Sequence, residues 1–357
     1  MLLSFALIIV GFVLLIGGAN LLVDGASDLA SRLGLPDRVV GLTVVAIGTS
    51  LPELVVSIAA ALEGHADMAY GNVVGSCLAN LLLILGLTAL VKPVGLSRRT
   101  QRFEIPASVI AALVLLAFSN TGEGLDLVEG VIMVVAFGAF VAYTAWVGLR
   151  EGEDRAKAAL AAASVAPGTS AQAAVVATVD ADGLDEDEAL EADIPVTELE
   201  GPSSRFATGP IADLALIAVG IVLLKFGADF VVENSVFVAG ALGVSERLIG
   251  ITVIALGTCL PELVTSAIAA FKGNTDIAVG NVVGSNISNV LFVMGVPAII
   301  APVAYDVAYN FDLTVLVVMS VALVGFAYVG RRHVLTRIQG LTFVFLYVVY
   351  VVASTLR

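Results

Sequence analysis

Residues 41–86 recur at residues 250–295 with no insertion or deletion, at a constant offset of 209, and 26 of the 46 aligned positions are identical. Both copies lie in long apolar stretches, and each centres on a glutamate. These are Glu53 in Gly48-Thr49-Ser50-Leu51-Pro52-Glu53 and Glu262 in Gly257-Thr258-Cys259-Leu260-Pro261-Glu262. A charged side chain at the centre of a bilayer costs about 3 kcal/mol or more, so it persists where it faces a cavity or a partner. The fold must therefore shield two acidic apolar segments from lipid. With 59% hydrophobic and 13% charged residues, the chain reads as a membrane protein. Windows of about 20 apolar residues, the length that crosses ~30 Å of hydrocarbon, fall near 2–23, 38–63, 67–91, 103–119, 126–148, 209–232, 247–271, 275–301, 311–330 and 335–355. Met1 opens the first window with no basic flank, so that segment is expected to be retained rather than cleaved as a signal.

Five windows precede residues 150–208 and five follow, and an odd number per half makes the second half enter the membrane from the opposite side. The matching extends outward, since Gly11, Gly18, Ala19 and Val23 correspond to Gly220, Gly227, Ala228 and Val232. The expected fold is an all-α integral membrane protein of ten transmembrane helices, arranged as two inverted five-helix repeats with broken helices at the midplane. Its units are residues 1–149, a first membrane repeat; 150–208, a linker; and 209–357, a second membrane repeat.

The net charge of −14 is concentrated in residues 151–200, where 13 acids face Arg155 and Lys157, a balance of −11. Elsewhere Lys and Arg gather in alternate loops, among them Arg32, Arg38, Arg99, Arg150, Lys272 and Arg332, while the opposite loops hold Arg247. Positive charge stays on the cytoplasmic side, which predicts both termini outside, a cytosolic acidic linker and a multi-pass protein of the plasma membrane. The linker is expected to continue the fifth helix over 151–163 and then to be disordered. Residues 178–189 carry Asp180, Asp182 and Gly183 in partial match to a calcium loop, but Thr178 and Ala189 stand where acids are required. Cys77 and Cys259 occupy non-equivalent positions of opposite halves, which argues against a disulfide framework. His65 and His333 fall in loops on opposite sides and read as solvated, which argues against a zinc cluster.

In each copy the glycine loosens the backbone and the proline lacks an amide donor, so the helix should break and restart within the span. Carbonyls near the break, such as those of Ala46 and Ala255, are expected to be released, and in hydrocarbon that is tolerated where they bind something. Thr49 and Ser50 precede Glu53 by four and three residues and share its helical face; Thr258 and Cys259 hold the same places before Glu262. Ser50-x-x-Glu53 is also a capping box, able to satisfy helix amides without any ligand. The duplication favours the ligand reading, because Cys259 replaces the capping serine while Glu262 remains. The following spans carry Gly71-Asn72-x-x-Gly75-Ser76 with Asn80, and Gly280-Asn281-x-x-Gly284-Ser285 with Asn289. Ser76, Asn80, Ser285 and Asn289 are further candidate ligands, whereas Asn72 and Asn281 are expected to brace the breaks. Two carboxylates and neighbouring neutral oxygens can fill the 6–8 oxygen positions that Ca2+ takes, and one Ca2+ would neutralise the pair. An empty, doubly charged pocket is costly in low dielectric, which gives a physical basis for obligatory exchange.

On these paired Gly-Thr-Ser/Cys-Leu-Pro-Glu and Gly-Asn-x-x-Gly-Ser segments the chain resembles the cation/calcium antiporter superfamily, and within it the prokaryotic sodium/calcium exchangers. The resemblance covers both halves. It implies alternating access in which spans one and six slide against the remaining eight. It also implies a central Ca2+ site at Glu53 and Glu262 flanked by Na+ sites, with Thr49, Ser50, Ser76 and Asn80 matching in the first repeat and Thr258, Ser285 and Asn289 in the second. Cys259 departs from the usual serine, Cys77 from the usual asparagine, and Asn289 from the aspartate of some relatives; these departures bear on sodium binding. The expected activity is export of Ca2+ against Na+, with no enzymatic chemistry and no cofactor. Proton/calcium exchange, with H+ in place of Na+, is the nearest alternative and a passive cation channel a more distant one. Lys225 reads as a snorkelling side chain and Trp146 as an interfacial anchor.

Overall fold

The computed structural model describes residues 1–122, 124–165, 209–242, 255–328 and 334–356. The calcium-like stretch at 178–189, the segment expected to be disordered, and His333 lie outside the described residues. Helices dominate: α1 (Leu2–Leu33), α2 (Asp37–Thr49), α3 (Leu51–Leu62), α4 (Ala66–Val91), α5 (Thr100–Ser119) and α6 (Leu127–Val165) in the first half. The second half holds α7 (Pro210–Ala241), α8 (Ala255–Thr258), α9 (Leu260–Phe271), α10 (Thr275–Ile300), α11 (Val307–Tyr328) and α12 (Arg337–Leu356). Among the described residues eight helices are long and apolar enough to cross a membrane, and counting the bent pair α2/α3 as one span makes nine.

Some boundaries move from where hydropathy places them. α1 runs ten residues past the apolar window, through Asp24, Asp28 and Arg32, because helical hydrogen bonding continues after hydropathy falls. It stops where Gly34 takes a left-handed conformation (φ 65°) and donates its amide to the Ala30 and Ser31 carbonyls. α6 continues through residues 151–163, as expected, and reaches Val165. The boundary between first repeat and linker therefore falls inside a continuous helix.

α1 and α7 pack against each other along their length. A Cβ on Gly11 would lie 2.8 Å from the Gly227 carbonyl oxygen, one on Gly18 2.8 Å from that of Gly220, and one on Gly25 2.9 Å from that of Asp213. Residue numbers rise in α1 as they fall in α7, so the two matching helices cross antiparallel, with glycines letting the backbones touch. The buried apolar side chains divide accordingly. One cluster centres on Leu15, Leu22, Leu224 and Val231 of this pair, and a larger one on α4, α5 and α10–α12.

Two small antiparallel ladders tie the loops into two groups. Val94–Gly95 (β1) pairs with Val334–Leu335 (β4), and Gly124–Leu125 (β2) pairs with Val303–Ala304 (β3). On the β1/β4 side ion pairs join the helix ends: Arg32 to Asp213 at 2.6 Å, Lys272 to Asp24 at 2.6 Å, and buried Arg38 to Glu104 and to Glu151, which Arg99 also meets at 3.2 Å. On the β2/β3 side the Tyr309 hydroxyl donates to the Asp67 carbonyl at 2.8 Å, and Asn120 bonds Asn310. Trp146 is half exposed beneath the Arg150 guanidinium, 3.9 Å from its ring centre, a setting that suits an interfacial anchor. His65 is exposed beside Glu63.

Candidate functional site

The chain breaks at Ser50, between α2 and α3, with a bend of 45°, and at Cys259 between α8 and α9. Ser50 and Cys259 adopt nearly the same backbone conformation (φ −83°, ψ 2° and φ −88°, ψ 2°), so the duplication holds at atomic detail where the serine and cysteine differ. Each restart places Pro52 or Pro261 in the first turn of the second half-helix, where a missing amide costs nothing.

Glu53 and Glu262 stand one turn beyond the breaks, fully buried, and none of their four carboxylate oxygens has a hydrogen-bond partner. Each lies within electrostatic reach of the other. The Thr49 hydroxyl neighbours the Glu262 carboxyl, and Cys259 neighbours Ser76 within the field of both glutamates. Ser50 Oγ, Ser285 Oγ and both amide atoms of Asn80 and Asn289 are also buried without partners. Buried polar groups are ordinarily satisfied, and so many orphans around one carboxylate pair mark a polar site that awaits a ligand.

Capping does not account for the glutamates. Among the described residues two genuine capping boxes occur. The Asp126 amide donates to Glu129 Oε2 at 3.2 Å while Asp126 Oδ1 accepts from the amides of Val128 and Glu129. Likewise, the Thr336 amide donates to Gln339 Oε1 at 2.8 Å while the Gln339 amide donates to Thr336 Oγ1. At Ser50-x-x-Glu53 neither half of that exchange is made. The Ser50 amide donates instead to the Ala46 carbonyl at 3.1 Å, and its hydroxyl caps nothing.

The Ala46 carbonyl corrects the expectation that it is released. It accepts from the Ser50 amide and, at 3.3 Å, from the Thr49 hydroxyl. Pro52, lacking N–H, instead withholds the usual partner from the carbonyl of Gly48, and Pro261 does so for Gly257. Ala255 begins α8.

The bracing asparagines act as expected. Asn72 donates to the Glu53 carbonyl at 3.1 Å and to Ser57 Oγ at 2.9 Å; Asn281 donates to the Glu262 carbonyl at 3.4 Å and to Ser266 Oγ at 2.9 Å. Asn281 does more than its counterpart, because its Oδ1 accepts from the Thr49 hydroxyl of the other half at 3.1 Å. Thr258 lies at the second break, its Oγ1 3.9 Å from Cys259 Sγ.

Sequence periodicity misses one device. Asn80 and Asn289 fall in π-helical turns, Ala79–Ile84 and Asn289–Val293, whose wider winding shifts the side-chain register. The turn bearing Asn80 packs against α9, which carries Glu262, and the turn bearing Asn289 packs against α3, which carries Glu53. Each asparagine thus sits beside the glutamate helix of the opposite half. Thr265 Oγ1 and Ser288 Oγ are likewise buried and unpartnered. Their repeat counterparts are Val56 and Ala79, so duplication could not point to them. Among the described residues no three of His, Cys, Asp and Glu gather as a metal centre; the donors here are two carboxylates and neutral oxygens, a hard set suited to Na+ or Ca2+.

Matching broken helices, a buried carboxylate pair and antiparallel glycine-packed outer helices define a membrane ion transporter built from two related halves. Comparison with known proteins gives the family. The profile of the sodium/calcium exchanger protein family matches residues 3–146 and 213–356. The chain is 34% identical over 325 residues to the inner membrane protein YrbG of Escherichia coli, covering 90% of this chain and 87% of the relative. It is 30% identical over 372 residues to the sodium/calcium exchanger MaX1 of Methanosarcina acetivorans, covering 98% and 97%. The solved structure of the sodium-calcium exchanger NCX_Mj, soaked with Na+ and Ca2+, superposes with a TM-score of 0.74 at 26% identity over 99% of this chain and 98% of the other. The protein belongs to the sodium/calcium exchanger family and is a transmembrane cation/calcium antiporter.

Proposed function

We propose that the protein exports Ca2+ from the cytosol against inward movement of Na+. Glu53 and Glu262 take either one Ca2+ or Na+, and Thr49, Ser50, Thr258, Ser76, Ser285, Asn80 and Asn289 complete the shells, with backbone carbonyls at the breaks. The observation that carries this reading is the fully buried carboxylate pair whose four oxygens have no protein partner, ringed by unpartnered hydroxyl and amide groups. Two negative charges match one divalent ion, and leaving them bare in low dielectric opposes an unloaded crossing. That opposition couples the two fluxes. In this reading the chain crosses ten times, with α8/α9 as the counterpart of α2/α3, the β1/β4 loops and the acidic linker are cytosolic and both termini are outside; the Lys and Arg bias supports that orientation. α1 and α7, whose shared apolar cluster also takes in Val40, Ala269 and Ile277 of neighbouring helices, are the elements expected to slide.

Proton coupling is the second reading, favoured by Cys259, whose sulfur is a poor sodium ligand at a site where the other half offers Ser50. Radiocalcium uptake into vesicles under an outward Na+ gradient separates the two. Uptake driven by Na+ at constant pH supports the proposal, and uptake that ignores Na+ but follows a pH gradient overturns it.

A further inference from the structure

The two ends of the α1/α7 pair are not held alike. At the β1/β4 end α1 lies against α9, whose Leu260, Val264 and Ile268 pack on the apolar cluster of α1 and α7. Their repeat counterparts on α3 are Leu51, Val55 and Ala59, and all three are exposed, Val55 by 63%. A cavity of about 240 Å³ lies there, lined by Leu51, Pro52 and Val55 of α3 and by Ile221, Val222 and Phe226 of α7. One outer helix is thus shut against its partner and the other is parted from it. Polar contacts fasten the shut end. Lys272, which follows α9, donates to Asp24 Oδ1 at 2.6 Å and to the Asn20 carbonyl at 3.3 Å, both on α1. Two residues on, Asn274 donates to Ser27 Oγ of α1 at 3.3 Å and to Asp37 Oδ2 of α2 at 2.7 Å. The Lys272 and Asp24 side chains are only partly exposed, 21% and 34%, so salt screens the pair less than it would an open surface pair. Their repeat counterparts are Glu63 and Glu233, and those of Asn274 and Ser27 are His65 and Val236. Two acids cannot make the pair that a lysine and an aspartate make.

We propose that Lys272 and Asp24 form an electrostatic latch that fastens α1 to α9 at the cytosolic end and makes the conformation open to the outside the favoured one at rest. The inference rests on the exchange reading and its orientation, in which α1 and α7 slide against the other helices. These two move together, because close glycine crossings and the Arg32–Asp213 ion pair bind them to each other. Closing α7 on α3 therefore draws α1 away from α9. The Lys272–Asp24 pair must then break, while the equivalence of the halves brings Glu233 toward Glu63 and adds repulsion. Both effects oppose opening to the cytosol. A site open to the cytosol in only a fraction of molecules binds ions from that side with its affinity reduced by that fraction. The latch thus sets how readily cytosolic Ca2+ loads, through the position of α1 rather than through any contact with the ion.

The test uses the full chain in oriented vesicles, with Asp24→Asn, Lys272→Gln and the swap Asp24→Lys/Lys272→Asp read in parallel. Val264→Cys reports opening at the cytosolic end, as the rate of labelling by a membrane-impermeant maleimide without Ca2+. The same variants lacking Val264→Cys give the background from buried Cys77 and Cys259. Removing one partner of an ion pair of this kind shifts a two-state equilibrium on the order of fivefold. Both single variants are expected to speed labelling by about that factor, and to lower by the same factor the cytosolic Ca2+ concentration for half-maximal exchange, with the external one nearly unchanged. The swap remakes the pair with its charges exchanged and is expected to return both values toward wild type. Unshifted labelling in the single variants, or a shift that an assembled swap leaves in place, overturns the latch. If one single variant fails to assemble, the other decides. Wild-type vesicles are the control: absence of Na+-dependent Ca2+ uptake there refutes the exchange reading itself, and presence of it with unshifted labelling refutes only the latch.

Discussion

Asn281→Ala tests whether one side chain couples the two halves of the site. Asn281 makes three hydrogen bonds, to the Glu262 carbonyl, Ser266 Oγ and the Thr49 hydroxyl, while Asn72 makes two, both within its own half. Hydrogen bonds between membrane helices are worth about 0.6 kcal/mol on average, with a maximum near 1.7. Asn281→Ala is therefore expected to cost about 2 kcal/mol and Asn72→Ala about 1 kcal/mol. Melting temperatures in detergent, measured without Ca2+, should fall about one and a half times as far for the first as for the second. Support of a ligand-bearing segment is typically worth 10–100-fold in metal affinity, so Asn281→Ala should also weaken Ca2+ binding on the order of tenfold by calorimetry. A double-mutant cycle with Thr49→Ala isolates the bond between halves, and its coupling, read from stability, should be about 0.6 kcal/mol. Equal losses from Asn72→Ala and Asn281→Ala, or a coupling of zero, would refute the cross-repeat tie.

The other predictions concern the ligands themselves. Glu262→Gln removes one of two charges facing a divalent ion; at ~4 Å and an effective dielectric constant of about 20 the lost attraction is about 8 kcal/mol, twice the value for two unit charges, so Ca2+ binding should fall by more than about a thousandfold by calorimetry. The same loss is expected for Glu53→Gln, and a variant of either position that kept near-normal affinity would remove it from the site. Cys259→Ser places a hard oxygen beside both glutamates, and the Na+ concentration for half-maximal Ca2+ uptake should fall by about fivefold, a change of about 1 kcal/mol. Unchanged sodium dependence would show that residue 259 is not a sodium ligand.

Much of the site is legible in the chain because its signals are local. Gly48 and Pro52 break a helix wherever they occur, and Glu53 must face something polar because hydrocarbon cannot solvate it. The Asn72 and Asn281 braces reach back only 19 residues, within one helical hairpin, so their role follows from neighbouring elements. The Ser50-x-x-Glu53 pattern was ambiguous for the opposite reason. Asp126-x-x-Glu129 has the same spacing and does form a capping box, and only the paths of the chain before each helix distinguish them. The Ala46 carbonyl is not released, because the chain bends at Ser50 while the Ser50 amide still reaches back to it.

By itself the sequence determined the apolar spans, the duplication, the places where two helices must break and the pair of acids that must be sheltered, since each follows from side-chain chemistry and spacing along one segment. The tertiary structure alone decided which groups meet across the halves: Thr49 with Asn281 over 232 residues, Gly18 with Gly220 at the antiparallel crossing, and Lys272 with Asp24 over 248 residues. Those meetings depend on how rigid helices dock, and on π-turns that shift register with no mark in residue type. Docking between distant segments is set by the shape of whole helix faces, which no local pattern encodes.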